Sequence, residues 1–595
     1  MLDREHKQIR QRILLVVMVF ISLFGFLLFH SYTLQVVKGD QFHARASRQT
    51  MGSIVLEPRR GEIRDRQGRV LAGTREVPSL GATPAKMANA ERGQAIEILM
   101  EAYGGAPAFL DLLTGNSPFV WLDRRISEER AEAVRNALDK HRVEGLATLN
   151  KVFLRNEDMR VYPGGMLAAN LMGHADIDLK GQAGLEKQFN EDLAGDTIRY
   201  KGVKTGMGEV TLETLDELLD IPAGNDIILT LDKTAQYISE REIRMGVTEH
   251  KAEWGVAVVL DPKDGGILAM AQWPSFDPND LTGTPPSHIH NFAVEWTYEP
   301  GSTMKPLPIS TAMDMGMVSA EQKIWCNNGL YVVGPKKIHD THQHGWLTVR
   351  EILYKSSNIG TAKIAQQMGI PLVYKSLTDY GIGMKTGITL PIETKGLLAK
   401  PETWMPIELV NRAFGQGVNV TPLQMAAAYG AIANGGQYMK PRLVDRVVGP
   451  DGKIVKRFEP TAVRRVISEE TSRELREILI QAVSDEGTGS KARFTDSCAV
   501  GGKTGTAEKL AKNLSTGRRE FWTSSFVGFL PAEDPKLVIL VVVDEPRNGK
   551  YYGGEVAAPV FRAIASELAP MYGICSKRID LAFKDRDEMK TTEER

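Results

Sequence analysis

Apolar and polar positions follow three different patterns along this chain, and each predicts a different element. The first is an unbroken apolar run. Ile13–Phe29 reads ILLVVMVFISLFGFLLF, seventeen residues without a charge. Extended through His30–Val37, it is long enough to cross about 30 Å of hydrocarbon. Arg4, Lys7, Arg10 and Arg12 precede it and outnumber Asp3 and Glu5, which predicts a cytoplasmic N-terminus. The nearest small-x-small sequence, Ala44-Arg45-Ala46, lies well past the apolar end, so the run reads as an uncleaved anchor rather than a signal peptide. With no second span in the sequence, everything after about Lys38 is expected outside the cytoplasm.

The second pattern is alternation. RGEIRDRQGRVLA at 60–72 predicts two short strands about a turn at Gln67-Gly68. IPAGNDIILTL near 220–230 predicts a turn and a strand. Gly255–Leu260 and Gly266–Gln272 predict strands joined by Asp261–Gly265, and Ser524–Leu530 and Leu537–Val543 predict two more joined by PAEDPK. The third pattern is helical. SEERAEAVRNALDK at 127–140 has Ser127 as a cap and acids in its first turn. Gly184–Leu193, Asp232–Glu249 and Val556–Leu568 are further helices, and RVYPGG at 160–165 is a turn opening another. From about 223 the order is strands, helices, strands, helix. That predicts an α+β domain whose antiparallel sheet is closed by segments from both of its ends, flanked by helices. The organisation read from these patterns is a cytoplasmic tail 1–12, an anchor 13–37, an elongated mixed domain 38–222, a second domain 223–572, and a charged tail 573–595 expected to be disordered.

Composition adds exclusions. Lys and Arg number 73 against 74 Asp and Glu, so the basic surplus of a nucleic-acid binder is missing. Three cysteines, Cys326, Cys498 and Cys575, exclude a disulfide framework and leave room for one bridge. No phosphate-cradling loop occurs, and no cofactor is expected. His339, His342 and His344 cluster in HDTHQHGW with Asp340, and His288 and His290 form another pair. Their spacing leaves a metal open. The favoured reading is a polar loop in which Asp340 and His342 orient the backbone ahead of the next helix, so no metal is assigned.

The chemistry centres on EPGSTMKP at 299–306. Ser302 is the only serine followed by lysine three places on. At the first turn of a helix starting near Gly301, Lys305 shares a face with Ser302 and can act as its base once buried near another cation. Ser356-Ser357-Asn358 is the only Ser-x-Asn, with a hydroxyl to relay a proton and an amide to hold a peptide. It also suits a helix cap. Lys-Thr-Gly occurs three times, at Lys204, Lys385 and Lys503. AVGGKTGTAEK is strand-like, its small residues admit a close backbone, and two apolar strands follow it, so Lys503 is chosen.

Ser302-x-x-Lys305, Ser356-x-Asn358 and Lys503-Thr504-Gly505, in that order, resemble the active-site set of penicillin-binding proteins and serine β-lactamases. Ser357 stands where that set has Asp. RGEIRDRQGRVLA, RVYPGG and GQAGLEKQF are similar to pedestal segments of class B penicillin-binding proteins. VTPLQMAAAYGAIANGG and GKYYGGEVAAPVF resemble the division-type transpeptidases of that class. The resemblance spans about 55–570. It implies a penicillin-binding/serine β-lactamase-like catalytic domain on a class B pedestal. It further implies a D,D-transpeptidase, inhibited by β-lactams, that cross-links peptidoglycan stem peptides during septal wall synthesis. The roles implied are Ser302 as nucleophile and Lys305 as base. Ser356 would relay a proton and Asn358 would hold the substrate amide. Lys503, Thr504, Gly505 and Thr506 would form the carboxylate strand, and the backbone N–H groups of Ser302 and Thr506 the oxyanion hole. Implied partners are a D-Ala-D-Ala donor, an amine acceptor, a SEDS-type (FtsW-like) polymerase and divisome proteins. The alternatives are an elongation-type transpeptidase, a D,D-carboxypeptidase or β-lactamase on the same fold, and a sensor or scaffold that does no chemistry.

Overall fold

The structure is a computed structural model describing residues 2–42, 51–56, 58–143, 151–204, 210–211, 223–493, 498–509 and 521–575. The tail expected to be disordered lies outside the described residues from 576 onward. The chain divides into two compact units, 1–59 with 195–223, and 60–194 with 224–595.

The first unit contains helix α1 (Leu2–Tyr32), continued by one wider turn to Val37. Ile9–Val37 is long and apolar enough to cross a membrane, and its side chains are bare. A protein interior would cover such a surface; lipid does so equally well. The same unit has a three-stranded sheet of Met51–Leu56, Ile198–Lys204 and Val210–Thr211.

In the second unit the expected hairpin forms as Ile63–Arg64 and Val70–Ala82. Its turn needs Gly68, whose φ is +82°. The longer strand also pairs with Val120–Asp123 and Val152–Val161. Asp226–Leu229 runs parallel to Ile63–Arg64 and joins Val444–Val448 and Ile454–Arg457. This seven-stranded sheet therefore draws strands from both sides of position 222. The helix expected over 184–193 is interrupted at Phe189, whose ring packs into the core edge-on against Phe458. The three pedestal-like segments meet in one buried cluster. Glu186 receives Arg60 at 2.7 Å and Arg160 at 2.6 Å. Arg160 also donates to Gly61 O, and Tyr162 OH to Glu186.

The catalytic sheet is built as the alternation predicted. Helix α2 (Lys233–Glu249) starts at Asp232, whose carboxylate accepts from the amides of Thr234 and Ala235. Strands β1 (Trp254–Leu260) and β2 (Ile267–Trp273) follow. Helices α3 (Pro306–Asp314), α4 (Val349–Tyr354) and α5 (Asn358–Asp379) come next. The chain then returns as β3 (Gly501–Glu508), β4 (Trp522–Leu530) and β5 (Leu537–Asp544), and ends in α6 (Gly553–Met571). The strand order is β2-β1-β5-β4-β3, antiparallel throughout, so β1 from the first half pairs with β5 from the last. Both faces of β5 are buried. Ile539, Val541 and Val543 join a core with Phe561 of α6 and Ile243 of α2. Val538, Leu540 and Val542 join the opposite core with Leu423 and Ala426. A strand covered on both sides reads as a continuous apolar run, as LVILVVV does. The lone edge near the chemistry is β3. Cys498, just before it, is bridged to Cys575 beyond α6.

Candidate active site

Ser302 and Lys305 do not lie in the ordinary α-helical turn that the sequence suggested. Gly301–Met304 is a 3₁₀ turn, and α3 begins only at Pro306. Proline fits there because the first turn of a helix needs no bond from its N–H. At three residues per turn, positions i and i+3 eclipse, so the tighter coil aligns the two side chains more closely. Three contacts fix the turn. Gly301 N donates to Gly415 O, Thr303 Oγ1 to Pro300 O, and Tyr429 OH to Thr303 O. Gly301 has φ of +54°, and a Cβ there would come within 2.9 Å of Thr506 O. At Gly505 a Cβ would meet Ser525 Oγ at 2.4 Å and Pro300 O at 2.6 Å. These two glycines let the catalytic turn and the edge strand touch backbone to backbone.

Lys305 is wholly buried, while Ser302 is half-buried. The Lys305 ammonium donates to Ser356 O at 2.5 Å and to Ser356 Oγ at 3.1 Å. Lys503, also wholly buried, reaches the same Oγ at 3.0 Å and Thr504 O at 3.3 Å. Among the described residues, Ser302 Oγ takes part in no hydrogen bond. Burial, then the charge of Lys503, holds the Lys305 pKa well below the usual lysine range, against a smaller opposing pull from Asp340. Burial alone pushes Lys503 down to about 7. Two ammonium groups sharing one neutral hydroxyl disfavour double protonation, which leaves a free amine available as base.

Ser356 sits between α4 and α5 with φ of +63°, a left-handed conformation that is strained for a residue bearing a Cβ. α4 is fixed at its start by the Thr348–Glu351 capping box. At the start of α5, Asp340 accepts from Ser357 Oγ at 2.6 Å, Asn358 N at 2.6 Å and Ile359 N at 3.0 Å. The carboxylate thus arrives from the histidine loop, beside the Ser357 that stands where the motif has Asp. An acid at a helix N-terminus is favoured by the exposed amides and the dipole. Asp340 orients the backbone at the start of the Ser-x-Asn helix, as the loop reading expected. Asn358 Nδ2 donates to His339 O at 2.8 Å. His342 and His344 face each other with ring centroids 6.4 Å apart.

The strand β3 presents Lys503 and Thr504 to opposite faces, as alternation requires. Thr504 Oγ1 pairs with Thr488 Oγ1 at 2.6 Å, and Thr506 Oγ1 accepts from Gly553 N at 2.9 Å. Of the other two Lys-Thr-Gly lysines, Lys385 lies in an irregular turn after α5. Lys204 ends a strand of the first compact unit, and the Thr-Gly after it lies outside the described residues.

Comparison with known proteins follows this geometry. Residues 255–566 match the family described as "Penicillin binding protein transpeptidase domain", and residues 55–229 match "Penicillin-binding Protein dimerisation domain". The chain is 33% identical over 571 residues to a probable peptidoglycan D,D-transpeptidase, PenA, of Neisseria meningitidis, covering 95% of this chain and 93% of that protein. It is 31% identical over 548 residues to the peptidoglycan D,D-transpeptidase FtsI of Escherichia coli, covering 91% and 88%. A crystal structure of penicillin-binding protein 3 from Mycobacterium tuberculosis, complexed with aztreonam, superimposes with a TM-score of 0.67 at 28% identity, covering 87% of this chain and 97% of that one.

Proposed function

The chain belongs to the class B penicillin-binding proteins and carries their transpeptidase domain, and from that premise we propose that Ser302 is the nucleophile of a peptidoglycan cross-linking reaction. The observation that carries the reading is the convergence on Ser356 Oγ of the buried Lys503 ammonium and of Lys305, which itself lies one turn from Ser302. Lys305, in its neutral form, takes the Ser302 proton as Oγ attacks the carbonyl of the penultimate D-alanine. The N–H groups of Ser302 and Thr506 receive the oxyanion; the close packing of Gly301 on Thr506 supports that placement. Ser356 passes a proton to the leaving D-alanine. Lys503, Thr504 and Thr506, across Gly505, hold its carboxylate, and Asn358 holds the substrate amide. An amine from a neighbouring stem peptide then attacks the acyl-enzyme and forms the cross-link.

The free edge of β3 supports binding of the donor stem as an added strand, since among the described residues its outer N–H and C=O groups have no sheet partner. The apolar Ile9–Val37 helix supports a membrane anchor. The proposed sidedness, catalytic domain outside and N-terminus inside, is supported by the basic residues before the span and by the Cys498–Cys575 bridge, a bond of oxidising compartments. A septal role with a SEDS-type polymerase rests on the similarity to FtsI. Ser302→Ala is the direct test. Labelling by a fluorescent penicillin should vanish, and retained labelling would overturn the nucleophile assignment.

A further inference from the structure

Glu299, three residues before the nucleophile, has no role in the chemistry above. It lines a cavity of about 560 Å³ that also borders Ala507 and Glu508, the residues following Thr506 on β3. The cavity therefore opens on both pieces of backbone that frame Ser302. Its walls include Trp254 and Trp296, with ring centroids 5.5 Å apart and edge-to-face. Two of its other acids are already paired, and Glu508 is exposed. Asp544 receives Lys509 at 2.7 Å and Thr523 at 2.6 Å, and Glu295 receives His290. Glu299 is different. One carboxylate oxygen accepts from Gly417 N at 3.2 Å, and among the described residues no cation pairs with either oxygen. A half-buried carboxylate without a cation is costly, and such a group in a cleft calls for a ligand that completes it.

We propose that Glu299 and this aromatic-walled cavity bind a primary ammonium group of a stem peptide. The inference rests on the transpeptidase reading and extends it to substrate choice. A carboxylate that lines one cavity with two indoles suits an ammonium, which gains an ion pair and aromatic contact there. The ammonium has two sources, the amine of the acceptor stem or a side-chain amine on the donor stem. If it is the acceptor's, the ammonium passes one proton to the Glu299 carboxylate. The freed nitrogen then forms the C–N bond at the Ser302 ester carbonyl, the C–Oγ bond breaks, and the second N–H proton returns to Ser302 Oγ.

The test compares full-length wild-type protein with Glu299→Gln, which keeps an acceptor for Gly417 N. The donors are acyl-D-alanyl thioesters carrying either a free or an acetylated lysine amine. The acceptor is an amine-bearing stem tripeptide, and fluorescent penicillin labelling of the same preparation reports the intact nucleophile. If the acceptor is the source, Glu299→Gln lowers transfer to the tripeptide at least ten-fold relative to penicillin labelling, with the acetylated donor. If the donor is the source, the variant instead loses at least ten-fold of a preference for the free-amine donor, without acceptor present. Neither change, or an equal fall in penicillin labelling, overturns the proposal. If Glu299→Gln melts markedly lower than wild type, Trp296→Leu decides. It should reduce use of the amine several-fold against penicillin labelling, and no such reduction overturns the proposal. A wild-type protein that takes no penicillin label overturns the transpeptidase reading itself, a result distinct from either.

Discussion

Among the described residues, Arg60 with Arg160 and Lys305 with Lys503 are buried pairs of cations, and they are settled differently. In the pedestal, Arg60 and Arg160 are 3% and 6% exposed and close on Glu186, which is fully buried between them. In the catalytic domain, Lys305 and Lys503 are fully buried and close on a neutral hydroxyl, Ser356. Arginine stays charged, and its planar fork matches a carboxylate, so the first cluster is a fixed joint between chain segments 60–61, 160–162 and 186. Lysine gives up its proton under the same pressure, so the second cluster stores reactivity. Burial of like charge is therefore structural where a carboxylate answers it and chemical where none does.

Removing one lysine should separate the two roles most strongly. Lys305→Met is expected to lower the rate of penicillin acylation by about a thousand-fold, within the range for loss of a general base. Its thermal midpoint should stay level or rise, because a desolvated amine has left the core. A marked fall in the midpoint would show the lysine pair to be structural after all. The converse change is Glu186→Gln, which leaves two buried guanidinium groups without their carboxylate. Denaturant unfolding should show a loss of about 3–5 kcal/mol, while the folded fraction still acylates at the wild-type rate. An acylation defect without a stability defect would break the distinction. A gentler probe is pH. With burial holding Lys305 well below the usual lysine range, its free amine persists at lower pH than an ordinary lysine's, so acylation should already be supported well below the usual lysine pKa. The stability sign follows from the same burial, which pushes Lys503 down to about 7. Between about 7 and the unfolded lysine value, the unfolded chain binds more protons, so stability should rise with pH across that window. An acylation rate that appears only near the ordinary lysine value would sink the lysine-base assignment.

Much of this was legible from residue patterns. LVILVVV reads as a strand, though not as one covered on both faces, and the pairing of first-half with last-half strands follows from their order. Lys305, Ser356 and Lys503 converge, with Ser302 one turn from Lys305, because their motifs are local and their elements strongly patterned. What sequence reasoning missed are contacts between distant segments whose residue types are unremarkable by themselves. Arg60, Arg160 and Glu186 are common surface residues in composition, yet here they meet at separations of 126 and 26 positions. The 3₁₀ turn at Gly301 could not be told from an α-helical start because both place i and i+3 together. The break at Phe189 was hidden because tertiary burial of its ring outweighs helix propensity.

The bridge between Cys498 and Cys575 joins residues 77 positions apart. It encloses β3, β4, β5 and α6, so the strand that carries Lys503 belongs to a covalent ring. The sheet and helix within that ring can assemble by packing alone, but the ring shuts only after residue 575 has been synthesised and met an oxidant. Maturation of the reactive edge is thereby ordered in time, with the last-made helix locking the strand before it.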